Sequence, residues 1–344
     1  FKKVENAVAV YSSEVDDSEV GNEPMLQDRL KMARERLDGA IEALSLLCEP
    51  VQPPKSELNY IHYFCGNTEI EGDLKSTEPQ RVSLYVSVVG LVRAYANIAD
   101  DLIAAGYTAD EIKKLKSEVE RYVTLRETIR RASGETIDLK AYEADMRHLI
   151  DTYIVASQPR VVSEFDDMPL IDLIIKSGVA DAINSLPKGI KGDKAAVAET
   201  IANNIRSTII KDHLNDPAFF EKMSAVLKEI IDALKSKRDD YEKYLKRIAD
   251  LAKLIRAGGD VDLPKAIATP GLRAIFNNLA VDVDVVERER LAIAIDAVVK
   301  RVRPDDWRGN LVKERVIQKA LFDVLSDEKE VENLFMVIKH QVEY

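Results

Sequence analysis

The sequence predicts an all-α chain, a multi-helix array in two parts with little or no β-structure. Three observations carry this. Leu, Ile, Val, Ala, Glu, Lys and Arg dominate, while aromatics are 6% and only 14 Gly and 12 Pro interrupt 344 residues. Apolar residues recur at spacings of three and four. A single short stretch, Val281-Asp282-Val283-Asp284-Val285, alternates with period two, and no repeat of fixed period is present.

Residues 1–23 are acidic and Ser-rich, as in Ser12-Ser13-Glu14-Val15-Asp16-Asp17-Ser18-Glu19, and read as a flexible connector. Helical periodicity begins near Pro24. Within 81–105, Leu84, Val88, Leu91, Tyr95, Ile98 and Leu102 fall on one stripe, and Val82, Val86, Val89 and Val92 add a second apolar face, so this helix is expected to be buried and to end at Gly106. Thr108-Ala109-Asp110-Glu111 is a capping box opening a long charged helix to Ser133-Gly134. A further helix is expected over about 139–157.

Gln158-Pro159-Arg160 breaks the pattern, which places a domain boundary near 159 and gives helical parts 24–158 and 159–344. Asp216-Pro217 and Thr269-Pro270 read as N-cap and first helical residue. Gly258-Gly259 closes a helix that starts near Lys237. Val281–Val285 is a candidate strand, with Glu287–Val302 helical behind it. Asp327 with Glu330 caps the last helix, whose Val331, Leu334, Phe335, Ile338 and Val342 form one stripe.

A length of 344 residues suggests two or three domains. The net charge of −11 argues against one broad basic face gripping nucleic acid, though 49 Lys and Arg leave room for a local patch. Two cysteines make no disulfide framework and fit a reducing cytoplasm. No apolar run approaches the ~20 residues that span a bilayer, so no membrane partner is expected. Phe1 opens in mid-pattern without a methionine, so the chain is expected to be the C-terminal region of a longer polypeptide.

Candidate chemistry is sparse. Cys48, His62 and Cys65 lack an evident fourth ligand for zinc and read as buried thiols beside a structural histidine. Pro187-Lys188-Gly189-Ile190-Lys191-Gly192-Asp193-Lys194 is a basic, Gly-containing loop before a helix expected near Ala195. It is either a solvated turn or a phosphate contact through Lys188, Lys191 and Lys194; it lacks the Gly-Lys-Ser/Thr ending of a Walker A loop. The pairs Asp166-Asp167, Asp239-Asp240 and Asp305-Asp306 read as solvated caps. His148, His213 and His340 have no partner at a telling spacing. Trp307, the only tryptophan, fits a packing role between the last helices or an interface anchor alongside Arg308, Lys313 and Arg315. No catalytic, cofactor or metal residues are assigned.

Several stretches resemble the C-terminal region of the restriction subunit of type I restriction enzymes. They are Ile171-Asp172-Leu173-Ile174-Ile175-Lys176-Ser177-Gly178 with Leu186-Pro187-Lys188-Gly189-Ile190; Ala198-Glu199-Thr200-Ile201-Ala202-Asn203-Asn204-Ile205-Arg206; Asn215-Asp216-Pro217-Ala218-Phe219-Phe220-Glu221-Lys222-Met223-Ser224; and Asp306-Trp307 through Lys313-Glu314-Arg315-Val316-Ile317 to Glu343-Tyr344. Residues 24–158 are similar, more loosely, to the helical region that follows the motor domains. The resemblance implies a parent ATP-dependent deoxyribonuclease, using ATP and Mg, with a nuclease domain and two motor domains that translocate duplex DNA. It implies that this chain holds neither catalytic site. It would link the motor to the methyltransferase and specificity subunits; the alternative is a helical module contacting the DNA backbone beside the motor.

Overall fold

A computed structural model describes residues 23–70, 72–134, 149–154, 168–259, 263–279 and 284–344. Among them every regular element is a helix, and no strand occurs. No described helix is long and apolar enough to cross a membrane. Contacts divide the chain into two compact units, residues 1–46, 86–122 and 140–157 in one, and 47–85, 123–139 and 158–344 in the other.

The first unit contains most of α1 (Glu23–Leu47), the second half of α4 (Glu78–Ala96) and the first half of α5 (Ala109–Ser133). In α1, Leu30, Leu37 and Leu44 repeat every seven residues and are buried. The predicted stripe of Leu84, Val88, Leu91, Tyr95, Ile98 and Leu102 is buried throughout, but the helix itself stops at Ala96. Hydrogen-bonded turns such as Ile98 N to Tyr95 O and Asp101 N to Ile98 O continue to Gly106, where φ is +87°. The second apolar face is only half realised: Val89 and Val92 are buried, Val82 and Val86 exposed. The capping box forms as predicted, with Thr108 N donating 2.8 Å to Glu111 Oε2 and Glu111 N donating to Thr108 Oγ1. Arg34 closes the turn by donating to Gly106 O at 2.8 Å.

The second unit is built around α9 (Lys194–Asp212), in which every residue from Ala196 to Arg206 is buried. A helix enclosed on all sides must be surrounded. α9 packs against α2 (Glu57–Cys65), α6 (Leu170–Ser177), α8 (Lys188–Lys191), α10 (Pro217–Lys235) and α11 (Tyr241–Ala257). The short α3 (Asp73–Ser76) and α7 (Val179–Asn184) flank α2 and α6. Then α12 (Pro270–Asn278), α13 (Val285–Val302), α14 (Leu311–Leu325) and α15 (Glu328–His340) form a C-terminal block around Ile275, Ile295, Trp307, Ile317, Leu321, Leu334 and Ile338. Asp216-Pro217, Thr269-Pro270 and Asp327 cap their helices as predicted, and Gly258 closes α11, which starts at Tyr241 rather than near Lys237.

Within the second unit, Arg206 donates to Thr68 O across 138 residues and Asn204 to Arg131 O across 73, so segments on both sides of residue 159 pack together there. Two expectations are corrected. Val285 is helical, since Asp284 accepts from Val286 N and Glu287 N and starts α13 there. Val342 is fully exposed, because α15 ends at His340 and the stripe loses its register. The expectations on 1–22, on 139–148 and 155–157, on Gln158–Arg160, Asp166-Asp167 and His148, and on Val281–Val283 lie outside the described residues. Within the helix expected at 139–157, Ile150–Ile154 forms a π-turn.

Candidate functional site

The C-terminal block shows what the terminal motif does. α13 ends at Val302, and the turn through Pro304 and Asp306, with φ +49°, swings the chain so that Trp307 points inward. Trp307 is 2% exposed and its ring lies 5.9 Å from that of Phe335. Trp307 thus packs in the core of the block. Arg308 lies over it, guanidinium carbon 4.7 Å from the ring centre. The same side chain donates to Lys339 O at 2.8 Å and Gln341 O at 2.5 Å, satisfying carbonyls at the C-terminal end of α15. Lys313 Nζ donates to Asp305 O at 2.6 Å, closing the turn. Glu314, buried, accepts from Lys339 Nζ at 2.7 Å and Gly309 N at 2.8 Å, and these donors hold its carboxyl below the usual range. The chain end is fixed too: Tyr344 Oη donates to Asp296 Oδ1 at 2.7 Å and Gly271 N to Glu343 Oε1 at 3.1 Å. Of Trp307, Arg308, Lys313 and Arg315, only Arg315 is exposed without being engaged by another described residue.

The basic stretch at 187–194 is not a loop. Lys188–Lys191 is a helical turn, and α9 starts at Lys194. Asp193 caps α9, its carboxylate accepting from Ala195 N at 2.8 Å, so the position an anion would take at that helix end is already filled. Gly189 is explained by packing, since a Cβ there would lie 2.5 Å from Glu57 Oε1. Burial pushes the Glu57 carboxyl up. Lys188, Lys191 and Lys194 are exposed; Lys191 reaches Asn184 O at 3.4 Å, and Lys194 Nζ stands 5.2 Å from the Tyr241 ring.

Cys48 and Cys65 are buried free thiols, with Cys65 Sγ 3.8 Å from Ile129 O. His62 turns instead toward Glu199, Nε2 to Oε1 3.5 Å. Among the described residues no group of three or more His, Cys, Asp or Glu could hold a metal ion.

Three charged clusters escaped the sequence reading, one of them at Asp239, read as a solvated cap but buried and paired with Lys243 and Arg247. Glu199, buried in α9, accepts from Lys235 Nζ at 3.1 Å and from Thr68 N at 3.3 Å. Burial pushes its carboxyl up, but His62, Thr68 and Lys235 together outweigh that and bring it down to about 2. Lys235 also meets Glu69 at 3.1 Å, so one ion cluster fastens the 67–70 segment to α9 and α10. The signal was present: a lone carboxylate within Ala198-Glu199-Thr200-Ile201-Ala202 needs a buried partner. Asp216 caps α10 through Phe219 N and accepts from Asn277 Nδ2 and Asn278 Nδ2, each at 2.7 Å. Burial outweighs these donors and pushes its carboxyl up to about 6. Gln341 donates to the neighbouring Asn215 O, so α10, α12 and the chain end meet at one point.

A cleft of 530 Å³ lies among Asp250, Lys253, Leu254, Leu263, Ile267 and Arg273. The Arg273 guanidinium there already donates to Ala257 O and Ala268 O. No family model, curated protein or solved structure matches this chain.

Proposed function

We propose that this chain is the C-terminal helical assembly and coupling module of the restriction subunit of a type I restriction enzyme. It joins the DNA-translocating motor and nuclease to the methyltransferase and specificity subunits and carries no catalytic centre. The observation that supports this best is where the resembling stretches lie. Ile171–Ser177 lies in α6, Ala198–Arg206 is the enclosed centre of α9, Asn215–Ser224 opens α10, and Asp306–Tyr344 contains the last two helices of the C-terminal block. All belong to one compact unit. Most of their buried side chains are engaged in packing, caps and internal ion pairs, as a rigid platform requires. On this reading ATP and Mg belong to parts of the parent outside this chain.

Size-exclusion chromatography with light scattering tests it. The chain is mixed separately with its cognate methyltransferase–specificity complex and with duplex DNA near physiological salt. Co-elution with the methyltransferase complex alone is expected. Co-elution with DNA alone, lost when Lys188, Lys191 and Lys194 are replaced together, would overturn the proposal in favour of a DNA-backbone module.

A further inference from the structure

α14 buries one side and leaves the other to solvent. Glu314, Ile317 and Leu321 face inward. Around the opposite arc, about 140° wide at 3.6 residues per turn, stand Leu311, Phe322, Arg315, Lys319, Val312 and Val316 in that angular order. Leu311 and Val312 are 73% and 74% exposed, and Val316 and Phe322 more than 40%. The strip thus has two apolar edges, Leu311 with Phe322 and Val312 with Val316. Arg315 and Lys319 run between them one turn apart.

Neither cation has a hydrogen bond or ion pair among the described residues. Some neighbouring cations do, Arg290 with Glu287, Lys300 with Asp296 and Lys339 with Glu314, while Arg301 and Lys329 stand exposed without apolar side chains arranged on both sides as at Arg315 and Lys319. Asp323 is the only acid on the arc, and it makes no ion pair with Lys319 one turn before it. In a chain with 60 acidic and 49 basic side chains, two unpaired cations between exposed apolar residues mark where carboxylates from elsewhere would settle. The strip spans three turns, about 17 Å, the length along which one helix can lie on another.

We infer that this face of α14 docks an acidic amphipathic helix of a partner protein. Carboxylates one turn apart meet Arg315 and Lys319, and apolar residues beside them cover the two edges. The inference rests on the assembly reading and makes that helix part of the methyltransferase–specificity complex. A second copy of this chain fits worse, because two-fold pairing of the face would set cations against cations.

Two double variants test it: Arg315→Glu with Lys319→Glu, and Val316→Asp with Phe322→Asp. Lys329→Glu, on α15, serves as control. Titration of the methyltransferase–specificity complex should show each double variant weakened at least roughly tenfold and the control unchanged. The charge-reversal loss should shrink as salt rises, and the apolar loss should not. Arg315 and Lys319 are exposed, so the charge-reversal variant keeps the melt of the unaltered chain; Val316 and Phe322 are more than half covered, so their variant is compared at a temperature where its own melt shows it folded. Equal binding by unaltered and variant chains would overturn the inference and leave the assembly reading standing. Failure of the unaltered chain to bind would overturn both. A dimer of the chain alone, dissolved by the Val316→Asp, Phe322→Asp variant, would replace the partner helix with a second copy.

Discussion

The Trp307 ring sits 5.9 Å from the Phe335 ring, and Arg308 closes over it from the solvent side. An aromatic pair so placed contributes area burial and a directional term, and it joins the turn after α13 to α15. Trp307→Ala should therefore destabilise the chain by about 3–5 kcal/mol, and Trp307→Phe by much less. Urea unfolding checks this. An alanine variant that unfolds at the same urea concentration but loses its partner would return Trp307 to the interface.

Glu199 supplies a second prediction. Its carboxyl is held at about 2 against an ordinary 4.5, so the group stabilises the fold above about 4.5, and that contribution is lost as pH falls through about 2. The shift corresponds to roughly 3 kcal/mol. Lys235 retains Glu69 when Glu199 is replaced, which softens the loss. Glu199→Gln should cost about 2–3 kcal/mol at neutral pH, with the gap to the unaltered chain closing as pH falls below about 4.5. A gap independent of pH would show that shape, not charge, is what Glu199 provides.

Much of the fold was legible because local chemistry agreed with tertiary structure. Thr108 with Glu111, Asp216 with Pro217, and Thr269 with Pro270 each announce a helix start through a side chain that satisfies an orphan N–H. The stripe from Leu84 to Leu102 was legible as a buried face but not as a helix broken at Ala96, since successive turns keep nearly the same facing. The ties of Arg206 to Thr68 and of Asn204 to Arg131 were not legible, since no periodicity reports a contact across so many residues. The same holds for the candidate site. Trp307, Arg308 and Lys313 were conspicuous by type and place, yet only three-dimensional packing shows that they hold the block together and leave Arg315 outward.

Two glycines should respond oppositely to alanine. Gly134 ends α5 with φ +66°, and a Cβ there would fall 2.7 Å from the Asn204 backbone. Gly134→Ala should cost more than about 2 kcal/mol, since both the φ and the contact oppose it. Gly39 lies inside α1, and a Cβ added there would meet no atom within 4 Å, so Gly39→Ala should gain about 0.5–1 kcal/mol. Thermal melts of the two variants should move in opposite directions; a shared direction would contradict the backbone geometry of one of them.

Asp216 sets a pH dependence of the other sign. Its carboxyl is raised from 3.8 to about 6, so the folded chain binds that proton more tightly than the unfolded one. Its contribution is fully present below about 3.8 and is lost as pH rises through about 6, a change of about 3 kcal/mol. Asparagine at this position still caps α10 but cannot titrate, and it leaves one of the Asn277 and Asn278 donors without its acceptor, at about 1 kcal/mol. Asp216→Asn should therefore be less stable than the unaltered chain near pH 4 and equally or more stable near pH 7.5, on the order of the raised carboxyl's titration range. Urea midpoints across that range test the reversal. Parallel curves would mean that the carboxyl keeps its ordinary affinity for the proton, and that the amides of Asn277 and Asn278 fully offset its burial.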